Sequence, residues 1–196
     1  MKTFFFLLAL FFYWHNISAQ TIDIIHCDNL TSIKLNNQTV VYNLTTSLDC
    51  MTQTSFRPIG NDSMNSFQGQ FLGNGFTISN LIINVLGEIN AGFFGYIKNS
   101  NITNLNLDHL NLTLNNINGN AHSNFIGYSE NSIVSDIQIN NSHLVVNDMN
   151  TANKTLYLGT SVGRANNSTL RSISINNAQL TSSNINQIFA AFVGMS

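Results

Sequence analysis

Catalysis and metal binding need titratable or nucleophilic side chains that can meet, and this sequence has few: 7 Lys/Arg, 9 Asp/Glu and 5 His in 196 residues. His26, His109, His122 and His143 form no pair at metal-ligand spacing, and the zinc-peptidase pattern His-Glu-x-x-His does not occur. The carboxylates are dispersed. Asp108 and Asp136 fall at different phases of the repeat set out below, whereas acid–base cleavage of a polysaccharide needs acidic groups gathered on one face. The many Ser lack an accompanying His–acid pattern that would activate a hydroxyl. Lys98 and Glu130 share a repeat position and read as a surface ion pair contributing about 0–1 kcal/mol. No catalytic residue, metal ligand or cofactor follows from the residue types. Tyr96 and Tyr128, again at one repeat position, are the candidate ligand contacts, because stacked rings can grip a sugar or a peptide; corner packing is the competing use.

Composition narrows the classes further. The formal net charge is −2 with no run of Lys or Arg, which leaves no electrostatic footprint for a nucleic acid or an anionic membrane surface. Hydrophobic residues make up 43%, enough for one packed core. Polarity comes from 33 Asn together with Ser and Thr rather than from charge, so disorder through charge repulsion is not expected.

Residues 1–19 read as a signal peptide: Lys2 supplies the positive start, Phe4–Trp14 an unbroken apolar run, and Ala19 a small residue before the expected cut at Gln20. No later stretch reaches the roughly 18 apolar residues of a membrane helix. The expected address is therefore secreted, extracellular or cell-surface. In that oxidising setting Cys27 and Cys50 pair as one disulfide, stabilising the segment 20–60 by about 3 kcal/mol and making it a cap. Candidate N-glycosylation acceptors are Asn29, Asn37, Asn43, Asn61, Asn101, Asn111, Asn140, Asn153, Asn166 and Asn167, although a chain this rich in Asn, Ser and Thr would contain about six by chance.

The elements that position these residues are visible as a repeat. Gly95, Gly127, Gly163 and Gly194 are spaced by 32, 36 and 31 residues, and the segments after the first three align without a gap. Apolar columns follow at Ile102/Val134/Leu170, Leu105/Ile137/Ile173, Leu107/Ile139/Ile175 and Leu112/Leu144/Leu180, with Phe94/Ile126/Val162/Val193 just before the glycines. Alternation of period two predicts half-buried strands, about three to a repeat. Asn99, Asn131 and Asn167, each followed by Ser, predict corners, because Asn tolerates a left-handed backbone and identical amides stacked about 4.8 Å apart can form ladders. One coil per repeat gives an all-β, right-handed parallel β-helix over residues 61–196, one three-stranded coil per 31–36 residues. A β-propeller would need four strands per blade. Upstream, Ile78, Leu81 and Ile83 are expected in the columns of Ile102, Leu105 and Leu107, with Gly69, Gly73 and Gly75 replacing the Asn-Ser corner. The orientation of Phe93, Phe125, Ser161 and Phe192 stays open.

Phe56-Arg-Pro-Ile-Gly60, then Phe67-x-Gly-x-Phe-x-Gly-Asn-Gly-x-Thr-Ile-x-x-Leu-x-Ile83, then Gly92-Phe-Phe-Gly95 resembles the opening of GLUG-motif repeat proteins. The likeness is most specific over residues 56–107 and looser to Ser196, where Asn124, Thr160 and Ala191 replace the leading Gly92. The resemblance implies a β-helical stalk or an adhesin-like surface protein. Because the chain ends at Gly194-Met-Ser196 within a repeat, a longer protein with further coils is expected. The expected function is a non-catalytic binding surface or stalk, its partner an extracellular glycan or protein. The alternatives are a polysaccharide-active β-helix enzyme and an accessory repeat region of a surface metallopeptidase.

Overall fold

A computed structural model describes residues 19–54, 56–117, 121–149, 157–182 and 190–193; the expected signal peptide therefore lies outside the described residues, except for its last residue. In chain order the elements begin with β1 (Gln20–Ile24), α1 (Cys27–Thr31), β2 (Val40–Leu44) and β3 (Leu48–Asp49). A second turn of chain holds β4 (Gln70–Leu72), β5 (Thr77–Ser79), β6 (Ile82–Leu86), β7 (Asn90–Ala91) and β8 (Phe94–Lys98). A third holds β9 (Asn101–Asp108), β10 (Asn111–Ile117), β11 (Ala121–Ser123) and β12 (Ile126–Glu130). The remainder is β13 (Ile133–Asn140), β14 (His143–Met149), β15 (Tyr157–Asn166), β16 (Thr169–Asn176), β17 (Gln179–Ser182) and β18 (Ala190–Val193).

Every strand pairing is parallel and joins one coil to the next, so the chain is a parallel β-solenoid of about four turns. Three sheets form its sides. The first runs β1-β2-β4-β9-β13-β16, with β3 and β5 continuing it laterally; the second runs β6-β10-β14-β17; the third contains β7, β8, β11, β12, β15 and β18. The apolar columns coincide with the register: Ile102, Val134 and Leu170 are direct partners, as are Leu112, Leu144 and Leu180, and Phe94, Ile126, Val162 and Val193.

Inside the first coils the core is aromatic. Phe56 stacks on Phe93 at 5.5 Å, and Phe71 meets Phe93 and Phe94 edge-on. From Ile126 onward it becomes aliphatic, with Val134, Ile137, Ile139, Leu144 and Val146 fully buried. Bulky rings fill the less regular coils, whereas branched aliphatic chains suit the pleat of regular ones. Phe93, Phe125 and Ser161 all face inward; the side chain of Phe192 lies outside the described residues.

Glycine frames each repeat for reasons of space. A Cβ on Gly127 would lie 2.6 Å from the Gly95 carbonyl oxygen, and one on Gly163 would lie 2.7 Å from that of Gly127. On Gly95 it would collide with the Gly60 carbonyl oxygen. Backbone approaches backbone so closely there that only hydrogen fits.

The corners behave as Asn requires. Asn99, Asn131 and Asn167 have φ of 49°, 49° and 47°. Two further left-handed columns were not anticipated: Asn80/His109/Asn141/Asn177 between the first and second sheets, and Asn104/Asp136/Ser172 as bends inside β9, β13 and β16. One upstream expectation is corrected. Phe71, not Ile78, occupies the column of Ile102, while Ile78 pairs with Leu107 and Ile83 with Leu112. The bend of the later coils is here the longer Gly73–Phe76 turn, which shifts the register; Gly69 does take the place of Ser100, but Gly73 and Gly75 belong to the following bend. The 20–60 segment, expected as a cap, contributes β1–β3 as rungs of the first sheet as well as α1, which buries its own Leu30, with Ile33 buried just after it.

Candidate functional site

The third sheet carries the predicted tyrosine pair on its β8, β12 and β15 rungs. Register places Tyr96, Tyr128 and Arg164 in one column and Lys98, Glu130 and Asn166 in the next but one. The two rings stack at 4.7 Å with planes 7° apart, and the Arg164 guanidinium lies 5.2 Å from the Tyr128 ring and 5.0 Å from that of Tyr157. The Tyr96 hydroxyl donates to Glu130 Oε2 at 2.6 Å, and Lys98 Nζ is 3.3 Å from Glu130 Oε1. Burial, reinforced by that carboxylate, holds the Tyr96 phenol well above its usual pKa. Tyr96 is only 8% exposed. Its ring and that of Tyr128 thus cover each other, and the guanidinium lies over Tyr128: the column is closed by its own cation–π and stacking contacts.

An open surface lies around the neighbouring corner, where the third sheet turns into the first. A groove of about 350 Å³ runs across several coils and is lined by six amides, Gln38, Gln68, Gln70, Asn99, Asn101 and Asn131. Gly69 leaves its floor without a side chain, and Ile133, 46% exposed, forms an apolar rim. At other corners such amides satisfy one another. Asn177 donates to Asn141 at 2.9 Å and Asn141 to Asp108 at 2.9 Å, while Asn74 donates to Asn43 at 2.7 Å.

In the groove the ladder stops. Asn167 donates to Asn131 at 2.8 Å, but Asn131 makes no bond onward to Asn99. Among the described residues the side chains of Asn99 and Gln70 have no hydrogen-bond partner, and the Asn101 carbonyl oxygen is buried without one. The Gln38–Gln68 pair, 3.1 Å apart, closes the opposite end.

The other expected site residues separate. Cys27 and Cys50 form the disulfide, with Cα atoms 5.6 Å apart. Of the acceptor asparagines, Asn111 and Asn166 are exposed with no side-chain partner among the described residues, and Asn167 is exposed but donates to Asn131. Asn29 accepts the N–H groups of Ile25 and His26, Asn37 accepts from Thr39, Asn43 bridges Asp23 and Asn74, and Asn61 donates to Glu88. Asn101 faces the groove, Asn140 is half-buried, and Asn153 lies outside the described residues. Among the described residues no group of three or more His, Cys, Asp or Glu converges.

Two features escaped the sequence. His122 is fully buried in register with Ala91 and Leu158, neither ring nitrogen is hydrogen-bonded among the described residues, and burial alone lowers its pKa to about 3. The groove was hidden because its columns mix residue types, Gln70, Asn101 and Ile133 sharing one register position, and because the corner at Gln68–Gly69 is one residue shorter than that at Lys98–Ser100. Only the correct upstream register brings the glutamines beside the asparagines.

Fold and surface together define a disulfide-braced parallel β-solenoid whose exterior is tiled with neutral amides and hydroxyls. No known family matches the chain, and neither a curated protein nor a solved structure matches it.

Proposed function

We propose that this chain is a secreted or cell-surface repeat protein whose solenoid acts as an adhesin-like binding surface or a structural stalk, without catalysis of its own. The observation that carries the reading is the amide-lined groove on a rigid stack: it offers several uncommitted hydrogen-bonding groups on a scaffold held by inter-coil pairing from β1 to β18. The signal-peptide pattern of residues 1–19 and the resemblance to GLUG-motif repeats support the address and the adhesin-like role. The disulfide suits an oxidising compartment.

The test is adhesion of the purified chain to intact cells and extracellular matrix, run beside a depolymerisation assay on soluble polysaccharides. Saturable adhesion with no shortening of the polymers is expected. Polymer cleavage would replace this reading with that of a polysaccharide-active enzyme, and absence of adhesion would leave only the stalk role.

A further inference from the structure

We infer that the groove at Gln38, Gln68, Gln70, Asn99, Asn101 and Asn131 is a binding subsite for a neutral glycan, an assignment that rests on the binding-surface reading above and gives it a ligand class. The lining contains no charged side chain, so an anionic or cationic ligand would find no counter-charge there. What it does contain is unused capacity of both kinds. The Gln70 and Asn99 amides, each both donor and acceptor, and the Asn131 Nδ2 have no partner among the described residues. Sugar hydroxyls donate and accept at once, and so match a surface of primary amides, each of which does both. The exposed Ile133 on the rim supplies an apolar patch for the C–H face of a pyranose ring.

Geometry separates this ligand from an extended peptide. A peptide strand is bound through unpaired backbone at a sheet edge. Here the backbone is already engaged between coils: Asn99 N–H donates to Glu130 O at 3.0 Å, Ile133 N–H to Ser100 O at 2.9 Å, and Asn131 N–H to Asn166 O at 3.0 Å. The groove presents side chains only. Its amides recur with the coil, roughly every 4.8 Å along the stack, so successive rings of an oligosaccharide laid along the axis can meet successive amides.

The Asn101 amide belongs to the groove wall rather than to open solvent, which makes it a poor acceptor for a covalent glycan.

The experiment uses the full chain against an immobilised panel of neutral hexose and N-acetylhexosamine oligosaccharides, with uronate and sialylated oligosaccharides as the charged set. The variant Gln70→Ala/Asn99→Gly removes two unpartnered amides, and Gly is compatible with the φ of 49° at position 99. Gln179→Ala, on the second sheet, is the control. Binding to a neutral oligosaccharide is expected, weakened about tenfold or more by the double variant at unchanged thermal midpoint and unaffected by Gln179→Ala. The inference is overturned if no neutral glycan binds, if binding survives the double variant, or if only the charged set binds. Adhesion that persists in the double variant and after enzymatic deglycosylation of the cells would overturn the glycan subsite yet keep the binding-surface reading. Loss of adhesion by the parent chain as well would remove both.

Discussion

At the scale of single residues, His122 is the most consequential anomaly. Ladders through this position run Ala91–His122–Leu158, and apolar neighbours are what a fully buried place in a β-stack ordinarily takes. An imidazole there stays neutral when folded, with its pKa lowered to about 3 by burial, whereas the unfolded chain takes up a proton near 6.5. Between those values the unfolded state binds more protons. Stability is thus undiminished above about pH 6.5 and falls as pH drops toward 3, by up to about 1.4 kcal/mol per pH unit. His122→Leu removes both orphaned nitrogens and the titration. Urea denaturation at pH 8 and pH 5 is expected to show a much smaller loss of stability on acidification in the variant; equal losses in both proteins would refute the assignment. The carboxyl of Asp108 follows a separate course. Burial raises its pKa, but bonds from Asn141 and His109 outweigh that and hold it below the usual carboxylate value, so its contribution is lost only at lower pH, as the folded form itself protonates.

Elements are decided at their corners. Asn141 is left-handed at φ 48°, donates to Asp108 and accepts from Asn177. Asn141→Ala strains the backbone by about 1–2 kcal/mol and also breaks the ladder. Asn141→Gly breaks the ladder but relieves the backbone, so it is expected to cost less than Ala; thermal melts of the two variants decide, and equal costs would show that φ is not the reason for Asn there.

What was legible in the sequence follows the same division. From Gly95 onward, identical spacing between apolar positions and the Asn-Ser pairs fixes the coil, because each column stacks on itself in register. Upstream, the Gly73–Phe76 turn differs in length from the bend at Asn104, and without a constant spacing the pairing of Ile78 with Leu107 could not be read. The groove was lost to the same irregularity, since Gln70 joins Asn101 only once the register is known. His122 was invisible for another reason: a polar residue beside apolar ones in alternation looks like the solvent side of a strand, and only the packed third sheet shows it inside.

For the molecule as a whole, nearest-neighbour stacking means that damage at one coil propagates only through its interfaces. The disulfide ties α1 to the residue following β3 and closes a loop with a sequence separation of 23. Replacing Cys27 and Cys50 by Ser is expected to cost about 3 kcal/mol. Because this acts on the first coil, hydrogen exchange should rise most in β1–β3 and least in β13–β16; a uniform rise would show that the stack unfolds as one unit.

The direction of the inter-coil hydrogen bonds has a mechanical consequence. They point along the stack axis, so tension applied to the two ends opens them one after another, as in a zipper, rather than shearing a whole sheet at once. Each coil released from the pile rises only about 4.8 Å in place but pays out some thirty residues of thread, roughly 100 Å when extended. Under load the molecule is a spool: it yields in long, discrete lengths at modest force, and the Cys27–Cys50 bridge keeps the span between its two cysteines from unreeling with the rest.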